Sequence, residues 1–258
     1  MRPRLRLDVG ALTDVGKVRD HNEDAWLWVE QADLVAVADG MGGHEAGDVA
    51  SELTVRTLAR AFEDGLPEPR RLRALLRRRA PAMDHLERVL REANRAVLDF
   101  ATDHPACKGM GTTVVAMLLD GRHLHRAHVG DSRIYRLRDG ELTRLTQDHS
   151  LLNEYLRLGV IGPEKAAHFP YKNVIVRALG LSPNVDVDVA TDTVILRDRY
   201  LLCSDGLTDL VDDETIRRQL QQLGRPAADA RALVDLALAA GGSDNVTAVV
   251  ADVVTEDS

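Results

Sequence analysis

Between residues 112 and 146 the chain alternates strand-like runs with very short turns. TTVVAMLL, LHRAHV, RIYRLR and ELTRLT are separated by Asp120-Gly121, Gly130-Asp131 and Asp139-Gly140. Asp-Gly between β-like runs is a strong hairpin signal, because both residues tolerate the positive φ that a two-residue reversal needs. Strands joined this way are antiparallel, whereas parallel neighbours need a crossover of a dozen residues or more. The middle of the chain is therefore read as an antiparallel sheet.

The flanking segments extend that constraint. Strand-like runs at 5–13, 25–29 and 34–38 precede two helical patterns, over 43–63 and 82–102, the second following an interruption at Pro81. After the hairpins come a short helix near 151–158 and a proline-containing excursion, HFPYKN. Strands follow at 185–189 and 193–203, then helices at 213–222 and 226–240, and a last strand at 246–254. Helices that arrive in pairs, not as single crossovers, argue against a βαβ fold. The expectation is an α+β fold: a central β-sandwich of two antiparallel sheets flanked by pairs of antiparallel helices. With 258 residues, 45% of them hydrophobic, the chain can bury one sizeable core, so a single domain over 1–258 is expected.

Composition removes several function classes. The net charge of -8 disfavours a nucleic-acid binder, which needs basic surface. Residues 70–95 hold nine arginines, but a solvated helix face is the favoured reading of that run. Cys107 and Cys203 share no motif spacing, so no disulfide is expected and Cys203, in YLLCSDG, reads as a small hydrophobe. No apolar run approaches the roughly 18 residues of a membrane span, and no signal peptide is evident. A cytoplasmic monomer without membrane contact is the expectation.

The stretch LVAVADGMGG ends an apolar strand on Asp39 and surrounds it with glycine. It fails as a dinucleotide loop, since Glu45 stands where the third glycine belongs. It fails as a P-loop because Asp48 follows Gly47 where lysine is required. Of five Asp-Gly pairs, those at 120 and 139 read as hairpins and the one at 64 follows a helix. VAVADG and YLLCSDG differ: each ends a strongly apolar strand on a carboxylate, at Asp39 and Asp205. Buried carboxylates are costly unless paired or bound to a cation. Glu23 and Asp24 before one strand, Asp131 at a strand exit and Asp244 before the last strand have similar settings. Mostly aspartates with no cysteine suit magnesium or manganese.

The ordered set RxxxED, DGMGG, GDSR, SDGL and GGSDN, from Arg19 to Asn245, resembles the metal-dependent protein phosphatases of type 2C. These are serine/threonine phosphatases of the PPM superfamily, and TQDHS and NVIVRALG are similar to its bacterial branch. The resemblance implies that Asp39 bridges two Mn2+ or Mg2+ ions and that Gly40 offers a carbonyl to one. It implies Glu23 on the second metal, Asp205 and Asp244 on the first, and Asp24 acting through water. A third, weaker ion would use Asp131 and Asp205. Arg19 matches the family's phosphate-binding arginine, and its planar fork suits two phosphate oxygens. Water activated between two ions would attack phosphorus directly, without a phosphoenzyme.

Met41 stands where animal relatives carry a histidine, and methionine cannot donate a proton. His44 does not match that position and reads as solvated at a helix start. His123 and His125, at i and i+2 on one strand, could form a zinc pair, but an exposed hairpin edge is the favoured reading. Residues 146–180 match the family's flap. The implied partners are phosphoserine and phosphothreonine proteins, including a cognate serine/threonine kinase. A non-catalytic scaffold of the same fold is the competing reading, yet such a protein should have lost metal-binding acids. A two-metal phosphodiesterase or nuclease of another fold fits neither the acidic surface nor the full motif set.

Overall fold

Among the residues described by this computed structural model (4–42, 46–66, 80–171 and 174–256), eleven strands form two sheets. The first sheet orders β1 (Leu5–Asp14), β11 (Val246–Thr255), β10 (Arg199–Cys203), β7 (Arg133–Arg138) and β8 (Glu141–Arg144). The second orders β2 (Asp24–Val29), β3 (Leu34–Met41), β5 (Val114–Asp120), β6 (His123–Val129) and β9 (Asp188–Thr193), with β4 (Gly111–Thr112) pairing beside the end of β3. Every pairing is antiparallel.

The apolar run at 34–38 is continuous because β3 is covered on both faces. Val35 and Val37 meet Val115, Leu202 and Val249 between the sheets. Leu34 and Ala36 meet Leu58, Phe62, Leu86 and Leu90 of α1 (Ala46–Phe62) and α2 (Pro81–Asp103). On the far side α5 (Asp213–Leu220) and α6 (Pro226–Ala239) bury Ile216, Leu220, Leu233 and Val234 against Val246, Ala248 and Val250. This is the expected sandwich flanked by helix pairs.

The local differences have physical reasons. Pro81 opens α2 instead of interrupting it, and Pro226 opens α6; a missing N–H costs nothing in a helix's first turn. Asp139 and Gly140 both take positive φ, +50° and +82°, as the β7–β8 turn demands. At the β5–β6 turn Asp120 still pairs with His123, so Gly121, at φ +61°, is the first turn residue.

The expected single strand over 193–203 is two strands in different sheets. Arg197 turns at φ +74°, and the Asp198 carboxylate accepts the Ile195 N–H at 2.9 Å, carrying the chain from β9 to β10. The expected strand at 185–189 begins only at Asp188, because Val185 and Val187 pack under α2. His44 and the arginines at 70, 71, 73 and 77–79 lie outside the described residues. Of the remaining arginines in that run, Arg88 pairs with Glu92 and Arg91 with Glu87, each at 3.0 Å, as on a solvated helix face. Both cysteines are free, and Cys203 is fully buried.

Candidate metal centre

Antiparallel pairing gathers the acids because each lies at a strand end on the same edge of the sandwich. Asp24 begins β2 and is the cross-strand partner of Asp39, near the end of β3. Asp131 sits in the turn between β6 and β7. Asp205 opens α4 (Asp205–Thr208), the helix after α3 (Leu151–Arg157), just past β10, and Asp244 precedes β11.

Backbone and hydroxyl contacts fix these positions. The Asp39 carbonyl accepts from the Thr113 N–H at 2.8 Å and the Thr112 hydroxyl at 2.9 Å. The Asp39 N–H donates to Thr113 Oγ1 at 3.1 Å, and that oxygen lies 2.7 Å from Ser132 Oγ. Gly40 donates to the Glu23 carbonyl at 3.0 Å. A side chain at position 40 is excluded by packing, since its Cβ would lie 2.1 Å from the Gly47 carbonyl oxygen. Asn245 clamps the 15–23 segment: its amide donates to the Val15 and His21 carbonyls, both at 2.9 Å, and its oxygen accepts the Glu23 N–H at 2.8 Å. Asn245 and Ser132 lie within the GGSDN and GDSR motifs and Gly47 entered the rejected P-loop reading, but the sequence does not say what they hold; Thr113 was missed, and its only signal is a polar residue beside a buried, apolar strand, as in TTVVAM.

The acids repel one another. Loss of solvation, then repulsion from Asp24, Asp205, Asp131 and Asp244, holds the Asp39 carboxyl well above its usual range. Burial raises Asp24 and Asp131 to about 7 and Asp205 to about 6, with neighbouring aspartates adding to each. Glu23 is raised as well, chiefly by burial, against a hydrogen bond from the Gly47 backbone. Asp24 Oδ1 and Asp131 Oδ1 are buried without a hydrogen-bond partner. Crowded carboxylates with orphaned oxygens and no sulfur donor fit hard divalent cations held by oxygen.

Arg19 stands at the rim, half exposed, and donates through Nη2 to Asp244 Oδ2 at 2.8 Å. Glu23 and Asp205 also act on its charge. His123 and His125 stand side by side on β6 with ring centres 6.4 Å apart and planes nearly parallel, and among the described residues neither belongs to a group of three or more ligating side chains. His125 is also not on an exposed edge, because β9 covers β6, and its Nδ1 meets Thr191 Oγ1 at 2.8 Å.

A different trio, His128, His149 and Asp188, brings its ligand atoms within 4.8 Å of one another. Burial pushes His149 down to about 4. The Gly130 N–H donates to His149 Nδ1 at 3.0 Å, so the ring proton of the neutral imidazole lies on Nε2. Arg177 Nη1 sits 3.0 Å from that Nε2 and 2.7 Å from Asp188 Oδ1. A guanidinium thus fills the space a cation would need.

A two-sheet sandwich in which Asp24, Asp131, Asp205 and Asp244 act on Asp39, with Glu23 and Arg19 beside them, fits a protein that holds hard cations next to an arginine. The family model for protein phosphatase 2C matches residues 17–239, and the chain belongs to that family. It is 43% identical over 256 residues to the serine/threonine protein phosphatase PstP of Mycobacterium tuberculosis, covering 99% of this chain and 47% of that protein. The chain thus spans about half the length of this relative. It is 39% identical over 244 residues to the serine/threonine phosphatase stp of Listeria monocytogenes, covering 93% of each. The crystal structure of the PstP catalytic domain in complex with two manganese ions matches with a TM-score of 0.83 at 42% identity, covering 97% of this chain and 99% of that one.

Proposed function

We propose that the chain is a Mn2+- or Mg2+-dependent protein serine/threonine phosphatase that hydrolyses phosphoserine and phosphothreonine monoesters. The observation that carries the reading is the mutually repelling carboxylate cluster around Asp39 with Arg19 at its rim. In this reading Asp39, Glu23, the Gly40 carbonyl, Asp205 and Asp244 would hold two ions. Asp24 acts through water, and Asp131 with Asp205 would hold a third, weaker ion. The ions, when bound, supply Lewis acidity and lower the pKa of water at the site.

The chain's own residues bind and orient. Asp244 engages only Nη2 of Arg19, and among the described residues no protein acceptor takes the remaining guanidinium N–H groups. Those groups are available for two phosphate oxygens. Asn245 fixes the segment that carries both Arg19 and Glu23. In hydrolysis, phosphorus exchanges its bond to the serine or threonine oxygen for one to water oxygen, and the departing alcohol takes a proton. Met41 cannot supply that proton.

Partners in this reading are phosphorylated serine/threonine proteins, a cognate kinase among them, met in the cytoplasm by a monomeric catalytic unit. Among the described residues no helix is long and apolar enough to cross a membrane. Residues 146–180 would serve as a flap beside the site.

The test is hydrolysis of a phosphothreonine peptide with manganese and with chelator. Asp39→Asn should abolish turnover. Arg19→Lys keeps the charge but loses the fork, and should lower kcat/KM about 10–100-fold, the equivalent of a charged hydrogen bond worth about 1.5–3 kcal/mol. Turnover that survives chelation or Asp39→Asn would sink the reading. Manganese binding without hydrolysis of any phosphopeptide or aryl phosphate would favour the scaffold.

A further inference from the structure

Asp24 is tied into a closed ring of hydrogen bonds whose direction can be read bond by bond. Asp24 Oδ2 accepts from Thr247 Oγ1 and from Ser204 Oγ, each at 2.7 Å. A threonine hydroxyl carries one proton, and Thr247 spends its proton on the carboxylate. The 2.7 Å contact between Thr13 Oγ1 and Thr247 Oγ1 must then run from Thr13 to Thr247. Thr13 in turn accepts from Asn22 Nδ2 at 2.8 Å. The other end of the same amide, Asn22 Oδ1, accepts the Asp24 backbone N–H at 3.1 Å. The ring therefore leaves Asp24 by its N–H and returns to Asp24 at Oδ2, with every donor facing the same way round. Ser204 joins from the side, its oxygen accepting the Thr247 N–H at 3.0 Å while its proton goes to the carboxylate.

The ring bridges the two sheets. Thr13 and Thr247 are cross-strand partners on β1 and β11 of the first sheet, whereas Asp24 begins β2 of the second. Thr247 and Ser204 are fully buried, so no solvent route replaces these bonds. Oδ2 is saturated by two hydroxyls, and Oδ1, buried, has no hydrogen-bond partner. One oxygen of the carboxylate is held and the other is left for the metal centre.

We propose that Thr247, Ser204 and Thr13 are positioning residues that orient the Asp24 carboxylate for cation binding, resting on the assignment of Asp24 to the metal centre. Groups that hydrogen-bond a metal's ligands, as Asp24 would through water, typically change metal affinity 10–100-fold, and the hydroxyls that orient Asp24 act one bond further out. A hydroxyl that only packs would be replaced without loss by the isosteric valine.

The experiment measures manganese binding by calorimetry on the wild-type chain and on Thr247→Val, Thr247→Ser and Thr13→Val, each first checked for folding by circular dichroism. Thr247→Val should weaken manganese affinity about tenfold, the low end of that range. Thr247→Ser, which restores the hydroxyl, should stay within about threefold of wild type, since only a methyl group is lost. Thr13→Val, one bond further out, should fall in between. Folded Thr247→Val with wild-type affinity and stoichiometry would overturn the proposal. If Thr247→Val does not fold, Thr13→Val and Ser204→Ala decide by the same criterion. A wild-type chain that binds no manganese would overturn the metal centre itself, and this inference with it.

Discussion

Gly47 is the second residue of α1, and its backbone hydrogen-bonds the Glu23 carboxylate. A Cβ built there would lie 2.7 Å from Glu23 Oε1, 2.9 Å from Oε2 and 2.6 Å from Cδ. Ordinary van der Waals contact begins near 3.4 Å, so Gly47→Ala must drive the carboxylate back by about 0.8 Å. Metal–ligand distances tolerate about 0.2 Å, so the displaced Glu23 should bind a cation poorly. The fold should barely notice, because the crowded atoms end a flexible side chain and alanine gains up to about 1 kcal/mol over glycine in a helix.

Gly10→Ala is the opposite case. Its Cβ would lie 2.0 Å from the Ala227 backbone nitrogen and 2.4 Å from Ala227 Cα, where α6 crosses β1, away from the acids. Backbone cannot retreat cheaply, so about 1–3 kcal/mol of stability should be lost. For a chain of this size each kcal/mol lowers Tm by about 2–4 °C. Manganese calorimetry and thermal melts in chelator, run on both variants, separate the two effects. Gly47→Ala should lose at least about tenfold in manganese affinity with Tm nearly unchanged. Gly10→Ala should lose Tm with affinity unchanged among molecules still folded. A Gly47→Ala chain that binds manganese like wild type would refute the reasoning.

Two further outcomes are expected. Asp24 and Asp131, raised to about 7, and Asp205, raised to about 6, bind protons in the folded chain that the unfolded chain, near 3.9, releases. Stability of the chelated protein should therefore be highest below about pH 4 as far as these groups act, and fall as pH rises through about 7. Scanning calorimetry in chelator at pH 5.5 and pH 8 should show the lower Tm at pH 8, with manganese restoring most there; a Tm that rises with pH in chelator would contradict the burial of these acids. Separately, Arg199 is 3% exposed and donates to Asp229 and Asp252 at 2.6 Å and to the Leu220 and Gly224 carbonyls. Arg199→Met leaves the Asp229 carboxylate buried without its guanidinium and should cost about 3–5 kcal/mol in denaturant unfolding, with manganese affinity unchanged; a loss below about 1 kcal/mol would show that the pair is not what ties α5 and α6 to the sheet.

Much of the centre was legible because strand geometry and burial act locally. An apolar run ending on aspartate reads the same in any fold, so Asp39 and Asp205 could be picked out, and Asp131 and Asp244, at a strand's exit and entry, gained weight beside them. The 193–203 segment was misread for the same reason: the turn at 194–198 contains neither glycine nor proline. It is set by the Asp198 side chain and by Arg138, 60 residues away, which donates to that carboxylate at 2.6 Å. Pro81 was read as an interruption before the helix at 82–102 although it is that helix's first residue, since proline marks a boundary without saying that it belongs to the helix.

Gly40 marks the boundary between the two kinds of information. The family resemblance gave it one task, to offer its carbonyl to an ion. In the fold, the space of its Cβ is taken by the Gly47 carbonyl, because α1 starts directly over β3. The sequence by itself determined the antiparallel sheets and the paired helices and singled out the acids as candidates, all of which follow from periodicity, turn chemistry and the cost of burying charge. Only the tertiary structure decided which neutral groups hold those acids in place. Asn245 on Glu23, Thr113 on Asp39 and the Thr13–Thr247–Asp24 ring join residues 74 to 234 positions apart, and hydrogen bonds across such distances leave no periodic trace in the chain.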